Sequence, residues 1–245
     1  MEVLPTSSNH GSNALIYPYK EDKIVRVLNT PVSDQCINQK NIVNSYLNNL
    51  PGFATYYGNK YFMTQSGEVR IGEIFLNSGT AMTDIYGELS KIDKLSIIIS
   101  ITMIIANAQQ KYQFQHNDLG TYNIVLKKIS KPQIFTIDDC FVVQYHYVPT
   151  IIDYDGVSLV INGQSIETCN NFDVLVDGRL PEFKMGNTDY GTFIQLTIED
   201  EDDHTGEEAF MLELVALRDR NNPREALNYF ITTYPSIVGY INQDS

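Results

Sequence analysis

The residues whose types suit chemistry gather in two short stretches: His116-Asn117-Asp118-Leu119 running on to Asn123, and Ile152-Asp153-Tyr154-Asp155-Gly156. Phosphoryl transfer from a nucleoside triphosphate needs a group that orients and deprotonates the acceptor hydroxyl. It also needs oxygen ligands for a magnesium ion bridging the phosphates, because positioning and charge neutralisation supply most of the catalysis. Asp118, Asn123 and Asp153 are of those types. The aspartate and the asparagine stand at opposite ends of one short loop, so both can face the same triphosphate, and Asp153 arrives from the next hairpin behind the apolar Ile151-Ile152. Carboxylate and carboxamide oxygens are hard ligands that suit Mg²⁺, which keeps several waters and takes only one or two protein carboxylates. Taken singly, each of these residues fits a turn or a helix cap equally well. The ordered set carries the reading.

Elements must position these groups. Ala14-Leu15-Ile16-Tyr17 and Lys23 to Leu28, separated by Lys20-Glu21-Asp22, predict a β-hairpin. Ile37, Ile42, Val43, Tyr46, Leu47 and Leu50 recur at helical spacing and stop at Pro51-Gly52. Val69 to Leu76 reads as a strand, and Leu89, Ile92, Leu95, Ile98, Ile99, Met103 and Ile104 predict a long helix. Its apolar stretch, Leu95 to Ala108, is shorter than the roughly 20 residues of a bilayer span, which predicts a buried core helix and no membrane partner. Asn123 to Leu126 and Gln133 to Ile137 read as short strands, and Thr150 to Asp153 as a strand end that presents an acid. Beyond residue 157 the signal weakens, although Thr192 to Leu196 and Ala209 to Leu217 look helical. The acidic run Glu199 to Asp203 reads as a solvated loop.

The stretches Phe114 to Leu126 and Pro149 to Tyr154 resemble the protein-kinase superfamily, with haspin-like and large-DNA-virus kinase-like proteins most similar. The resemblance spans residues 8 to about 197 and is strong over 114 to 156. It implies an α+β, two-lobed protein-kinase-like fold in one domain: a β-rich N-lobe over 1–76, and a mainly helical C-lobe over 77–245 with a reduced C-terminal region. It further implies Asp118 as the catalytic base, Asn123 and Asp153 as metal ligands, and His116 as a structural residue packing the catalytic loop. The implied cofactors are Mg²⁺ and ATP, and the implied partner is a protein carrying a Ser or Thr acceptor. A viral origin, with residence in the host cytoplasm or the virion, follows from the same analogy.

The pattern is incomplete in the N-terminal part. A phosphate-covering loop relies on glycines that let backbone amides approach closely, and only Gly11 is available between Ser8 and Ala14. Arg26 stands where the family places its phosphate-holding lysine, keeping the charge and changing the geometry; Lys23 is a lower-ranked alternative. Counting back from Ile42-Val43 puts Gln39 where the partner glutamate is expected, and no acid lies between Asp34 and Gly67. The ion pair of active kinases is therefore expected to be absent, or replaced by an Arg26 to Gln39 hydrogen bond. Asp155 holds the usual glycine position, and Leu180-Pro181-Glu182 is the nearest string to an activation-segment end. Asp189 opens an apolar helix either as the acid that braces the catalytic loop or as an N-cap.

Composition bounds the alternatives. With 43% apolar residues in 245, a sizeable core is affordable. A net charge of -13 argues against nucleic acid as partner. Cys36, Cys140 and Cys169 are odd in number and widely spaced, as expected of buried thiols in a reducing compartment. His10, His116, His146 and His204 are too scattered for a zinc set. Three readings stand: a Ser/Thr protein kinase, a pseudokinase acting as a binding or scaffold module, and a small-molecule phosphotransferase. Asp118, Asn123 and Asp153 favour activity; Arg26, Gln39 and the sparse glycine loop favour the pseudokinase.

Overall fold

The hairpin at the start of the chain grows into a six-stranded sheet. In the computed structural model, which describes residues 2–4, 9–10, 14–28, 33–168, 188–204, 208–220 and 222–241, that sheet comprises β1 (Glu2–Val3), β2 (Asn9–His10), β3 (Ala14–Tyr19), β4 (Lys23–Leu28), β5 (Tyr56–Met63) and β6 (Val69–Leu76). Their spatial order is β1-β5-β6-β4-β3-β2. All pairs are antiparallel except β1 with β5. One register matters for function: Arg26 on β4 lies directly opposite Glu73 on β6, and directly opposed residues share a sheet face.

Helix α1 (Asp34–Leu47) connects β4 to β5. Ser33 caps it by accepting from the Cys36 amide at 3.2 Å. Its buried face is Cys36, Lys40, Val43, Asn44 and Leu47, a helical repeat that carries one lysine inward.

The remainder is built on α3 (Lys91–Tyr112), reached through β7 (Thr80–Ala81) and the short α2 (Met82–Ile85). Every residue of α3 from Asp93 to Ala108 is buried, which is why it is apolar all round. At 22 residues it is longer than the apolar stretch suggested, and it has the length and composition of a membrane span; 89% of its apolar window is packed inside the fold, as in a core helix. Its polar side chains turn inward onto backbone: Ser100 and Thr102 donate to the carbonyls of Ser96 and Ile98, and Ser96 donates to that of Val143.

Around α3 lie β8 (Ile124–Lys128), β9 (Gln133–Ile137), β10 (Cys140–Gln144), β11 (Tyr147–Ile151), β12 (Ser158–Ile161) and β13 (Gln164–Glu167). They are followed by α4 (Thr188–His204), α5 (Glu208–Arg220), α6 (Pro223–Thr233) and β14 (Val238–Tyr240). Among the described residues these strands form sheets ordered β11-β8-β7 and β14-β10-β9, and a β12-β13 hairpin. The large core cluster centres on α3 and takes in Val43, Leu47 and Phe53; a smaller cluster of Leu4, Tyr17, Val25, Val27 and Phe62 lies against the six-stranded sheet. The chain is α+β, as expected.

The acidic run corrects the sequence reading. It forms the end of α4, and Glu201 within it is 1% exposed. Tyr190, Phe193, Ile194, Thr197, Ile198 and Glu201 make one buried helical stripe, so periodicity outweighs local charge. Glu201 is satisfied by Lys94 Nζ at 2.6 Å and by the Tyr86 hydroxyl at 3.1 Å. The β12-β13 hairpin, which the sequence reading did not anticipate, turns at Asn162-Gly163, whose φ values of 52° and 79° are those an Asn-Gly turn supplies.

Candidate active site

The loop from His116 to Asn123 leaves α3 and enters β8, and it is pinned from three sides. The Asp189 carboxylate, at the start of α4, accepts the amides of His116 at 2.5 Å and Asn117 at 2.8 Å. Its position lies within the helix rather than in front of it, and what it caps is the loop. His116 is fully buried; its Nε2 donates to the Ile152 carbonyl at 2.9 Å. The Asn117 side chain, on a residue of positive φ that asparagine tolerates, donates to the Gly156 carbonyl at 2.7 Å. The Ile152 amide in turn donates to the Asn123 carbonyl at 3.0 Å. Two segments some thirty residues apart in sequence are thereby locked edge to edge.

Asn123 turns its Nδ2 inward to the Asp118 carbonyl at 2.8 Å and the Asp118 carboxylate at 3.2 Å. Its Oδ1 is left without a donor among the described residues. Asp118 is exposed, and its other oxygen accepts from the Tyr122 hydroxyl at 2.7 Å. Partial burial and that bond to Asp118 push the Tyr122 hydroxyl up to about 12, so it stays a donor at neutral pH. Gly120 has no room for a side chain: a Cβ there would stand 2.4 Å from the Tyr122 ring.

Asp153 and Asp155 flank Tyr154, whose ring is buried against Phe53, Phe75 and His116. The Tyr154 hydroxyl accepts from the Ala54 amide at 2.6 Å and donates to the Ile151 carbonyl at 2.8 Å. With Tyr154 anchored, the two aspartates on either side project the other way. Asp153 adopts φ 59°, a left-handed conformation that aspartate enters only at some cost.

Facing them is Arg26. Its Nη1 donates to Glu73 at 2.9 Å and Asp155 at 3.0 Å, and its Nη2 to Asp153 at 2.9 Å and Asp155 at 2.6 Å. Burial opposes the guanidinium charge, but Asp153, Asp155 and Glu73 together overcome it and hold the charge firmly. Lys40 Nζ reaches Asp155 at 2.5 Å. Burial alone would raise Asp155; Arg26 and Lys40 outweigh it and pull the carboxyl down to about 2.

These groups line one cavity of about 860 Å³, within the range of ligand pockets. One end carries Arg26, Lys40, Glu73, Asn123, Asp153 and Asp155, and the other walls mix apolar residues such as Ile16, Ile24, Phe75, Leu76 and Val125 with polar ones such as Lys23, Asn77, Thr80 and Asp84. Asp118 stands beside the cavity, joined to it through Tyr122 and Asn123, which line it. Among the described residues no three His, Cys, Asp or Glu side chains converge as a metal cage. Asp153 and the undonated oxygen of Asn123 offer oxygen donors of the kind Mg²⁺ takes.

The structure therefore gathers Arg26, His116, Asp118, Asn123, Asp153 and Asp189 into one connected network. The proposed Arg26 to Gln39 hydrogen bond does not form: the partners of Arg26 are the three carboxylates. Gln39 is half-buried and does not line the cavity, whereas the next residue, Lys40, does. Lys23 lies at the start of β4 over the Tyr57 ring, 4.2 Å from its centroid, and also lines the cavity. Gly11 and the 180–182 string lie outside the described residues, as does Cys169. Cys36 and Cys140 are buried; burial and the adjacent Asp139 push Cys140 up to about 11, unsuited to a nucleophile.

Sequence reasoning missed Lys40 and Glu73. The signal for Lys40 was a lone charge on the apolar face of α1, and that for Glu73 an acid inside a strand opposite an arginine.

No protein-family model and no curated protein matches the chain. Among solved structures it aligns with the crystal structure of the PF14_0431 kinase domain at 16% identity and a TM-score of 0.42, over 64% of this chain and 51% of that one. The chain thus spans about half the length of that structure. A likeness of that degree fixes neither family nor activity.

Proposed function

We propose that the chain is a protein-kinase-like phosphotransferase that binds Mg-ATP in the 860 Å³ cavity and phosphorylates a Ser or Thr of a protein. The observation that carries this is that Asn123 and Asp153, from separate segments, both line the cavity beside the Asp118 loop. The order strand, turn, strand, helix ahead of the cavity, and long helix, loop, hairpin behind it, agrees with the same reading. Asn123 and Asp153 would hold the magnesium ion, which when bound neutralises charge developing on the phosphates. Asp118 would accept the proton of the acceptor hydroxyl as its oxygen bonds to the γ-phosphorus and ADP leaves. His116 and Asp189 act by fixing the loop that presents Asp118.

A second reading, a pseudokinase that binds nucleotide or partner without transfer, is favoured by one observation: Arg26 already occupies both Asp153 and Asp155. Transfer of γ-phosphate to generic basic and acidic proteins separates the two. The enzyme reading predicts transfer by the native chain and a fall of about a hundredfold to ten-thousandfold in Asp118→Asn. Equal inactivity of both, with nucleotide binding intact, would establish the pseudokinase.

A further inference from the structure

Resting on the nucleotide reading, we infer that Lys40 on α1, rather than Arg26 on β4, is the residue that takes a phosphate oxygen of the bound nucleotide. A guanidinium has five N–H donors, and Arg26 directs four hydrogen bonds from its two terminal nitrogens onto Glu73, Asp153 and Asp155. It is held on three sides by carboxylates, so reaching a phosphate means leaving acids buried without their cation, which costs more than one new bond returns.

Lys40 is in the opposite situation. An ammonium has three donors, and Lys40 has one acceptor among the described residues, Asp155. The residue is 3% exposed yet lines the cavity. Two donors of a buried cation thus lack partners among the described residues, at the end of the cavity where Arg26, Glu73, Asp153 and Asp155 gather. A group with several acceptor oxygens and negative charge supplies what is missing, and a phosphate is such a group. Asp155 then holds the lysine in place, as a carboxylate does for a cation that must be aimed. Arg26 becomes a positioning residue that ties Asp153 and Asp155 to the sheet through Glu73.

The test compares affinities for Mg-ATP and adenosine, which differ in the triphosphate and the magnesium ion it carries. Replacing Lys40 by itself would leave Asp155 without its lysine partner and endanger folding, so the informative pair is Asp155→Asn and Lys40→Met/Asp155→Asn. The preference for Mg-ATP over adenosine is expected to be about tenfold to a hundredfold lower in the double variant than in Asp155→Asn, the worth of one charge-assisted hydrogen bond. A lysine that merely braces α1 would alter the melting temperature and leave the preference alone. Mg-ATP preference surviving undiminished in the double variant overturns the assignment to Lys40. Absence of Mg-ATP binding by the native chain overturns the nucleotide reading itself, and this one with it.

Discussion

Two buried lysine–carboxylate pairs in this molecule have nearly the same length and opposite surroundings. Lys94 and Glu201 meet at 2.6 Å with side chains 4% and 1% exposed, and the Tyr86 hydroxyl and ring stand beside them. Lys40 and Asp155 meet at 2.5 Å, but Asp155 is 20% exposed and both residues line a cavity. The first pair is closed: partners fill its space, and its work is to join α3 to α4. The second is open on one side and is shared with Arg26, whose charge is balanced by Glu73 and Asp153 as well. Distance alone does not tell structure from function. The space beside the pair, and donors left over within it, does.

Breaking the closed pair produces the largest effect. Glu201→Ala removes the buried carboxylate that faces the Lys94 ammonium, and denaturant unfolding is expected to show a loss of about 3–5 kcal/mol. Nucleotide affinity of the folded fraction stays unchanged. A loss below about 1 kcal/mol would mean that this pair is not sealed as described.

The open pair responds more gently and through pH. The folded-state pKa of Asp155 is depressed from 3.8 to about 2. Its contribution is therefore fully present above the unfolded value near 4 and is lost as pH falls from there through about 2. The magnitude is about 2 kcal/mol at neutral pH. Comparing native protein with Asp155→Asn between pH 5 and pH 2 isolates it, since the variant lacks this part of the acid sensitivity. Identical acid profiles would contradict the ion-paired state of Asp155.

The same contrast explains what was legible in the sequence. The loop from His116 to Asn123 and the Asp153 segment are local strings: residue type and spacing within each define the chemistry, and apolar neighbours such as Ile151 and Ile152 announce the strands behind them. The hairpin of Ala14 to Leu28 and the strand Val69 to Leu76 were legible for the same reason, as alternating runs between turns. The cationic side of the site is not local. Glu73 meets Arg26 across 47 positions, and Lys40 meets Asp155 across 115; only the sheet register and the rotation of α1 bring them together. A one-residue error along a helix turns a side chain by about 100°, which separates Gln39, outside the cavity wall, from Lys40, within it. Glu201 was misread because local charge density stood out where the helical stripe from Tyr190 was the stronger constraint.

The central proposal for this cavity is a magnesium–nucleotide site with Asp153 as a ligand. The most direct measurement is the melting temperature of the native chain and of Asp153→Ala with and without millimolar Mg-ATP. A ligand that binds only the native state at a hundred times its Kd adds about 2.7 kcal/mol. The native chain is expected to show a saturable upward shift that Asp153→Ala abolishes; no shift in the native chain, or an equal shift in both, would contradict it.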